Sequence, residues 1–192
     1  MTGAQMSGRS AIGHMVGVVV GCLLAASAHA APAIGEEPPD LLGKTPQGEE
    51  VRISDRLGKV VVVSFWASWC GYCCKQLPVL EALQQAAGHE RMDVVVVNFK
   101  ESPRTYRTLL RQLRKLTVTM THDRDGAISD AFGVQAVPRL FMIDRAGRLA
   151  YTHNGYSESS IQEIAEAADR LLASAPGSTG ASEAAVRKQT LR

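Results

Sequence analysis

The chain has 192 residues, 45% of them hydrophobic and 21% charged, a composition close to the globular average that leaves room for one domain with its own core. Its 21 Lys and Arg against 19 Asp and Glu leave a formal charge of +2, too small a basic excess for a nucleic-acid binder. Of the four cysteines, Cys22 lies in the apolar N-terminal segment, and the other three, Cys70, Cys73 and Cys74, are too clustered to tie distant parts of a small fold together as a disulfide scaffold.

At the N-terminus, Arg9 precedes an acid-free apolar run from Ala11 to Ala28 and then Ala28-His29-Ala30, an A-x-A cleavage pattern. Residues 1–30 therefore read as a secretory signal peptide. The run is also near the shortest length that spans a bilayer, so an uncleaved anchor tethering the protein to the membrane is the alternative. Val19-Val20-Gly21-Cys22 offers a third option, a lipoprotein signal with Cys22 as the lipidated first residue. Cleavage after Ala30 removes Arg9 and no acid, leaving +1 on the mature chain. The expected location is the bacterial periplasm, soluble or tethered to the inner membrane. Clustered thiols in an exported protein are expected to be reactive rather than structural.

Residues 31–49 are rich in Pro, Gly and Glu and read as a lead-in with little regular structure. The folded domain is expected over 50–173. Val60 to Phe65 is a continuous β-branched run suited to a strand buried on both faces, and Val94 to Val97 is a second. Between them, Leu77, Leu80, Leu83 and Ala87 recur at helical spacing from Cys73 to Ala87, before Gly88. Strand, helix, strand in that order implies a parallel βαβ crossover. Pro103 suits the first turn of a helix with an apolar stripe of Tyr106, Leu109, Leu110, Leu113 and Leu116. Arg104, Arg107, Arg111 and Arg114 line its other face, either a solvated surface or a docking patch for an acidic partner. Thr117 to Thr121 reads as a strand and Ala127 to Phe132 as a short helix closed by Gly133. Arg139 to Ile143 and Leu149 to Thr152 read as a hairpin around Asp144-Arg145-Ala146-Gly147. Ser159 and Gln162 form a plausible capping box for a last helix through Leu172 with Ile161, Ile164, Ala168 and Leu171 inward. Residues 174–192 turn to Gly, Ser, Ala and charge and read as a disordered tail.

Trp69-Cys70-Gly71-Tyr72-Cys73 falls where a buried strand hands over to a helix. There the first sulfur lies beside unpaired backbone N–H groups and the positive end of the helix dipole, which favours its thiolate. Cys70 is the candidate nucleophile. Cys73, one turn further in and shielded, is the candidate resolving thiol, and Gly71 and Tyr72 help to set the redox poise. A zinc site needs about four ligands, and no second Cys pair exists. A structural bridge closing so short a loop adds little stability.

These residues, with Gly58-Lys59, Phe65-Trp66-Ala67-Ser68, Pro78, Ala131-Phe132-Gly133-Val134, Val137-Pro138 and Phe141 to Gly147, resemble the thioredoxin superfamily and within it the exported TlpA/ResA/CcmG-like group. The resemblance covers about residues 38–173. It implies a three-layer α/β thioredoxin-like fold with a central mixed sheet and helices on both faces. It also implies a cis Pro138 against the sulfurs, with the Val137 backbone pairing with an extended substrate. Trp69, Gly71, Tyr72, Val137 and Pro138 are thus the expected substrate contacts. The implied activity is thiol-disulfide exchange with protein thiols or disulfides, without an organic cofactor. The group's role would be reduction of exported thiols, such as those of apocytochrome c or copper sites, with electrons from a CcdA/DsbD-type membrane donor.

Three positions depart from the pattern. Ser64 stands where thioredoxin has a buried aspartate, and Gln76 where the group often has a glutamate, so the usual proton carrier is missing. Arg139 replaces the usual threonine after Pro138 and turns either toward the sulfurs or into solvent. Cys74 points about 100° away from Cys73 on a helix. It is either a bystander thiol or half of a Cys70/Cys74 pair that, with His153 or His122, resembles Sco-type copper chaperones. A redox-inactive binding domain on the same fold is the third functional class.

Overall fold

The computed structural model describes residues 31–174, so the expected signal peptide and nearly all of the C-terminal tail lie outside the described residues. Its centre is β3 (Val60–Trp66), buried along its whole length. With β1 (Leu41–Lys44) and β2 (Glu50–Arg52) preceding it, the chain continues through α1 (Gly71–Ala87), β4 (Met92–Phe99), α2 (Pro103–Gln112), β5 (Thr119–Asp123), α3 (Ala127–Ala131), β6 (Arg139–Ile143), β7 (Leu149–Asn154) and α4 (Glu158–Ala173). The main sheet has the order β5-β4-β3-β6-β7, with β3, β4 and β5 parallel and β6 and β7 antiparallel to their neighbours. This is the thioredoxin-like mixed sheet that the sequence implied.

Period-two alternation along the strands divides the core into two layers. Val60, Val62, Val94, Val96, Leu140 and Met142 face α1 and α4, where Leu77, Leu80, Ile164, Ala168 and Leu171 meet them. Val61, Val63, Phe65, Val95, Val97, Phe141 and Ile143 face the opposite layer, made by Leu42, Val51, Ile53, Phe132 and Val134. Phe65, Phe132 and Phe141 form an aromatic trio there, with ring centroids 5.1 to 6.0 Å apart.

Several boundaries differ from the sequence expectation. Residues 31–49, expected to be largely irregular, contain β1, which pairs with β2. The same segment is stitched to the domain by Gly35 N–H to Leu149 O (2.7 Å) and Leu149 N–H to Glu36 O (2.8 Å). The Thr121 hydroxyl donates to Leu42 O at 2.6 Å, and the backbone approaches so closely that a Cβ on Gly43 would lie 3.0 Å from Thr121 Cβ. Helix α2 stops at Gln112, but Leu113 and Leu116 stay on the core side through the turn that follows. The final helix is capped by Ser157, whose Oγ accepts from Ser160 N–H (3.1 Å) while Ser160 Oγ accepts from Ser157 N–H (2.8 Å). Ser160 thereby does the work expected of Gln162, whose amide instead donates to Glu166.

Strand β5 begins two residues later than expected because Glu81, on α1, takes the preceding donors. Its carboxylate accepts from Thr117 N–H and Oγ1–H, both at 2.7 Å, from Val118 N–H at 3.1 Å and from Gln85 at 2.8 Å. Burial pushes the Glu81 carboxyl upward, but these donors outweigh it and hold the carboxyl below the ordinary 4.5. A carboxyl held low in the fold stabilises it above its unfolded-state value and loses that contribution as pH falls through the folded value. Glu81→Gln should therefore be less stable than the parent at pH 7, by on the order of 1–3 kcal/mol. Urea titrations across pH should show the gap closing as pH falls below about 4.5; a gap independent of pH would refute the clamp.

Candidate active site

The active-site loop is the exit from β3. After Trp66 the chain turns through Ala67, Ser68 and Trp69, and Cys70 becomes the N-cap of α1 with extended backbone (φ −91°, ψ 97°). Its Sγ accepts from Cys73 N–H at 3.1 Å, the bond that a Ser or Asp side chain makes at other helix starts. Helix α1 thus begins two residues before the expected Cys73. Cys70 and Cys73 are joined in a disulfide with Cα atoms 5.2 Å apart. Cys70 is 8% exposed and Cys73 only 1%, so an incoming group meets the first sulfur.

Opposite the bridge, the Val137–Pro138 peptide bond is cis and Val137 O lies 3.7 Å from Cys70 Sγ. Pro138 O in turn accepts from Gly155 N–H at 2.9 Å. Trp69 and Tyr72 are 66% and 60% exposed, large aromatic surfaces beside the sulfurs, and Gly71, the first residue of α1, lies between Cys70 and Tyr72. Tyr72 lies 6.1 Å from the Tyr156 ring, and Lys75 Nζ is 5.8 Å from the Tyr72 centroid. The structure therefore gathers all seven expected site residues around one disulfide. Tyr156 joins them from the end of β7, a connection that no spacing in the sequence reveals.

The two positions that lack acids are paired with each other. Buried Ser64 donates to Gln76 Oε1 at 3.0 Å, and Gln76 Nε2 has no partner among the described residues. Arg139 bonds to Asn154 and stacks over Phe141 at 4.8 Å, so it runs along the sheet; burial lowers its pKa from the ordinary guanidinium value. Cys74 is an exposed free thiol with Sγ 3.9 Å from Ser68 O. His122 is held by Glu101 O (2.8 Å) on β5, and His153 lies near Tyr151 on β7, at the other edge of the sheet. Among the described residues no three His, Cys, Asp or Glu side chains converge, so the copper-chaperone ligand set is not assembled.

A buried carboxylate missed in the sequence sits behind the loop. Glu101 accepts from Ser68 N–H (2.9 Å), Ser68 Oγ–H (2.5 Å) and Asn98 Nδ2–H (2.6 Å). Lys100, with φ 53°, makes the sharp turn that returns Glu101 toward the strand ends. The available signal was topological: an acid just past the carboxyl end of a parallel strand, the edge where α/β sites gather.

Redoxin is the family pattern that residues 27–171 match. The chain belongs to the Redoxin family. Among curated relatives, thioredoxin-like protein YneN of Bacillus subtilis is 30% identical over 123 residues, 63% of this chain and 71% of that one. The thiol-disulfide oxidoreductase ResA of Geobacillus thermodenitrificans is 29% identical over 119 residues, 62% of this chain and 68% of that one. Among solved structures, a Chlorobium tepidum protein assigned as thiol:disulfide interchange protein DsbE superposes with a TM-score of 0.68 at 28% identity, covering 74% of this chain and 99% of that one. StoA of Bacillus subtilis follows at 0.56 and 25% identity, covering 68% and 96%. This Redoxin-family chain is accordingly a thiol-disulfide oxidoreductase of thioredoxin fold with a C-x-x-C pair.

Loss of the Glu101 acceptor should loosen the loop. Glu101→Ala is expected to cost on the order of 2 kcal/mol and to speed amide hydrogen exchange at Ser68. Unchanged protection at Ser68 would show that the carboxylate does not hold the loop.

Proposed function

We propose that this protein is an exported reductase of protein disulfides in which Cys70 attacks and Cys73 resolves. The observation that carries the assignment is the asymmetry of the bridge: Cys70 is the more exposed sulfur, caps α1, and receives the Cys73 N–H that favours its thiolate. In the reduced protein, the Cys70 thiolate attacks one sulfur of a substrate disulfide and expels the other as a thiolate. Cys73 then loses its proton and attacks Cys70, which releases the second substrate sulfur. The chain ends as the Cys70–Cys73 disulfide, and the substrate has gained two electrons and, after protonation, two protons.

Val137, beside Cys70, offers backbone to an extended substrate segment in the manner of strand addition, with Pro138 turning the chain there. Trp69, Gly71 and Tyr72 supply the adjoining surface. Relatives named thiol-disulfide oxidoreductase and thiol:disulfide interchange protein support the exchange chemistry, and the resemblance to the exported TlpA/ResA/CcmG-like group implies an extracytoplasmic role such as reduction of apocytochrome c or related thiols. Such a role in an oxidising compartment needs a continual supply of electrons, and a CcdA/DsbD-type membrane protein is the proposed donor. The signal peptide or membrane tether expected in residues 1–30 belongs to the same proposal.

Cys73→Ser should accumulate a mixed disulfide through Cys70 when mixed with a peptide disulfide, seen by mass spectrometry under non-reducing conditions. Cys70→Ser should neither trap substrate nor exchange. Retained exchange in Cys70→Ser would remove the mechanism. The reduction potential, from glutathione equilibration with thiol trapping, should lie nearer about −270 than about −120 mV. A value at the oxidising end would reverse the proposed direction of electron flow.

A further inference from the structure

Helix α2 carries a charge pattern that the exchange chemistry does not use. Between Ser102 and Leu116 the chain has five cations, Arg104, Arg107, Arg111, Arg114 and Lys115, and no acid. All five are exposed, and among the described residues none is paired with a carboxylate. The apolar side of the same segment is turned inward: Tyr106 is buried, and Leu109, Leu113 and Leu116 pack on the core.

The N-terminal end of α2 adjoins the reactive loop. Ser102 caps α2, and its neighbour Glu101 is hydrogen-bonded to Ser68, two residues before Cys70. Leu109, Gln112 and Leu113 share a cleft of about 250 Å³ with Trp66, Ser68 and Cys74. Nearer the start of α2, Arg107 and Lys44 line a second recess of about 350 Å³. Lys44 is the one of these two with a partner, Glu50 at 3.7 Å. A chain held at Cys70 that passes Ser68 reaches the start of α2, whose cations stand on the solvent side of the helix, away from the cleft.

We infer that the outer face of α2 is a docking surface for the acidic segment of a protein substrate whose disulfide is presented to Cys70. The inference rests on the exchange reading and adds to it the substrate's charge. An acidic polypeptide fits better than an anionic membrane, because none of the exposed large hydrophobics lies on α2 to enter a bilayer, whereas the helix starts beside the exchange loop. Rim cations act mainly on encounter rate and partner choice, and salt screens them.

The test is a competition between two peptides with the same disulfide, one flanked by Asp and Glu and the other by Ser and Asn. The full-length protein should show a higher kcat/KM for the acidic peptide at low salt and lose that preference at high salt. Replacing Arg104, Arg107 and Arg111 together by Ser should lower the acidic-to-neutral ratio about tenfold. Replacing them by Lys should preserve the ratio, which separates charge from packing. A ratio unaltered in the Ser variant overturns the docking face while exchange itself stands. So does an arginine-dependent effect confined to binding of phosphatidylglycerol vesicles, which would make α2 a lipid-facing surface. Failure of the parent protein to exchange with either peptide would instead strike the oxidoreductase mechanism, and the docking face with it.

Discussion

Everything at the site depends on β3 being held from both sides. Its seven residues are buried, it pairs in parallel with β4 and antiparallel with β6, and each face of it carries its own apolar layer. The registers Trp66↔Asn98, Phe65↔Arg139 and Arg139↔Asn154 then bring four chain segments to one edge of the sheet. The Cys70 loop, Glu101, the Val137–Pro138 turn and the Gly155–Tyr156 segment come from distant parts of the sequence. They meet because three strand pairings leave them no other position. A slip of one residue in any pairing would send the core side chains of that strand to the wrong face, so the same forces that fix the core fix the site.

The polar groups inside this frame divide into two kinds. Glu101 and Glu81 are carboxylates saturated with donors, Glu101 supporting the exchange loop and Glu81 the entry to β5. Both are fasteners whose bonds are all to neighbouring backbone or polar side chains. Ser64 and Gln76 are neutral and bonded to each other in the α1 layer, one turn along the helix from Cys73. A hydroxyl and an amide do not titrate in the ordinary pH range, so this pair cannot take the proton from Cys73 as a carboxylate would. In the proposed exchange, the proton of Cys73 therefore leaves through water or through a group other than these two.

The parts of this arrangement legible in the sequence were those with a local signal. Continuous Val runs declared β3 and β4, the C-x-x-C spacing declared the sulfurs, and Arg139 to Ile143 was bounded correctly by its turn chemistry. The parts that were hidden depend on distant partners. β1 is only four residues long and is held by β2 and by Thr121 on β5, neither of which marks residues 41–44 in advance. The start of β5 was displaced by a carboxylate on α1, 36 residues away. The cap of α4 shifted because three serines compete there and geometry, rather than residue type, selects Ser157 with Ser160. Glu101 carries no local signal of its role, which depends on the turn at Lys100 that folds it under the loop.

The bridge itself contributes little to holding the domain together. Chain-entropy arithmetic for so short a loop gives roughly 2 kcal/mol, against about 3 kcal/mol for a loop of fifteen residues. The strand pairings of the five-stranded sheet do not involve it, and Cys73 is buried in the α1 and α4 core layer among apolar side chains whose contacts are not made through the S–S bond. Opening the disulfide therefore leaves the frame standing, which an agent that cycles between dithiol and disulfide requires. Cys74 is kept out of that cycle by the same helix geometry: its sulfur is turned toward Ser68 O and the α2 cleft while Cys73 faces the core. Two adjacent thiols on one helix thus meet different surroundings, and only the inner one is delivered to Cys70.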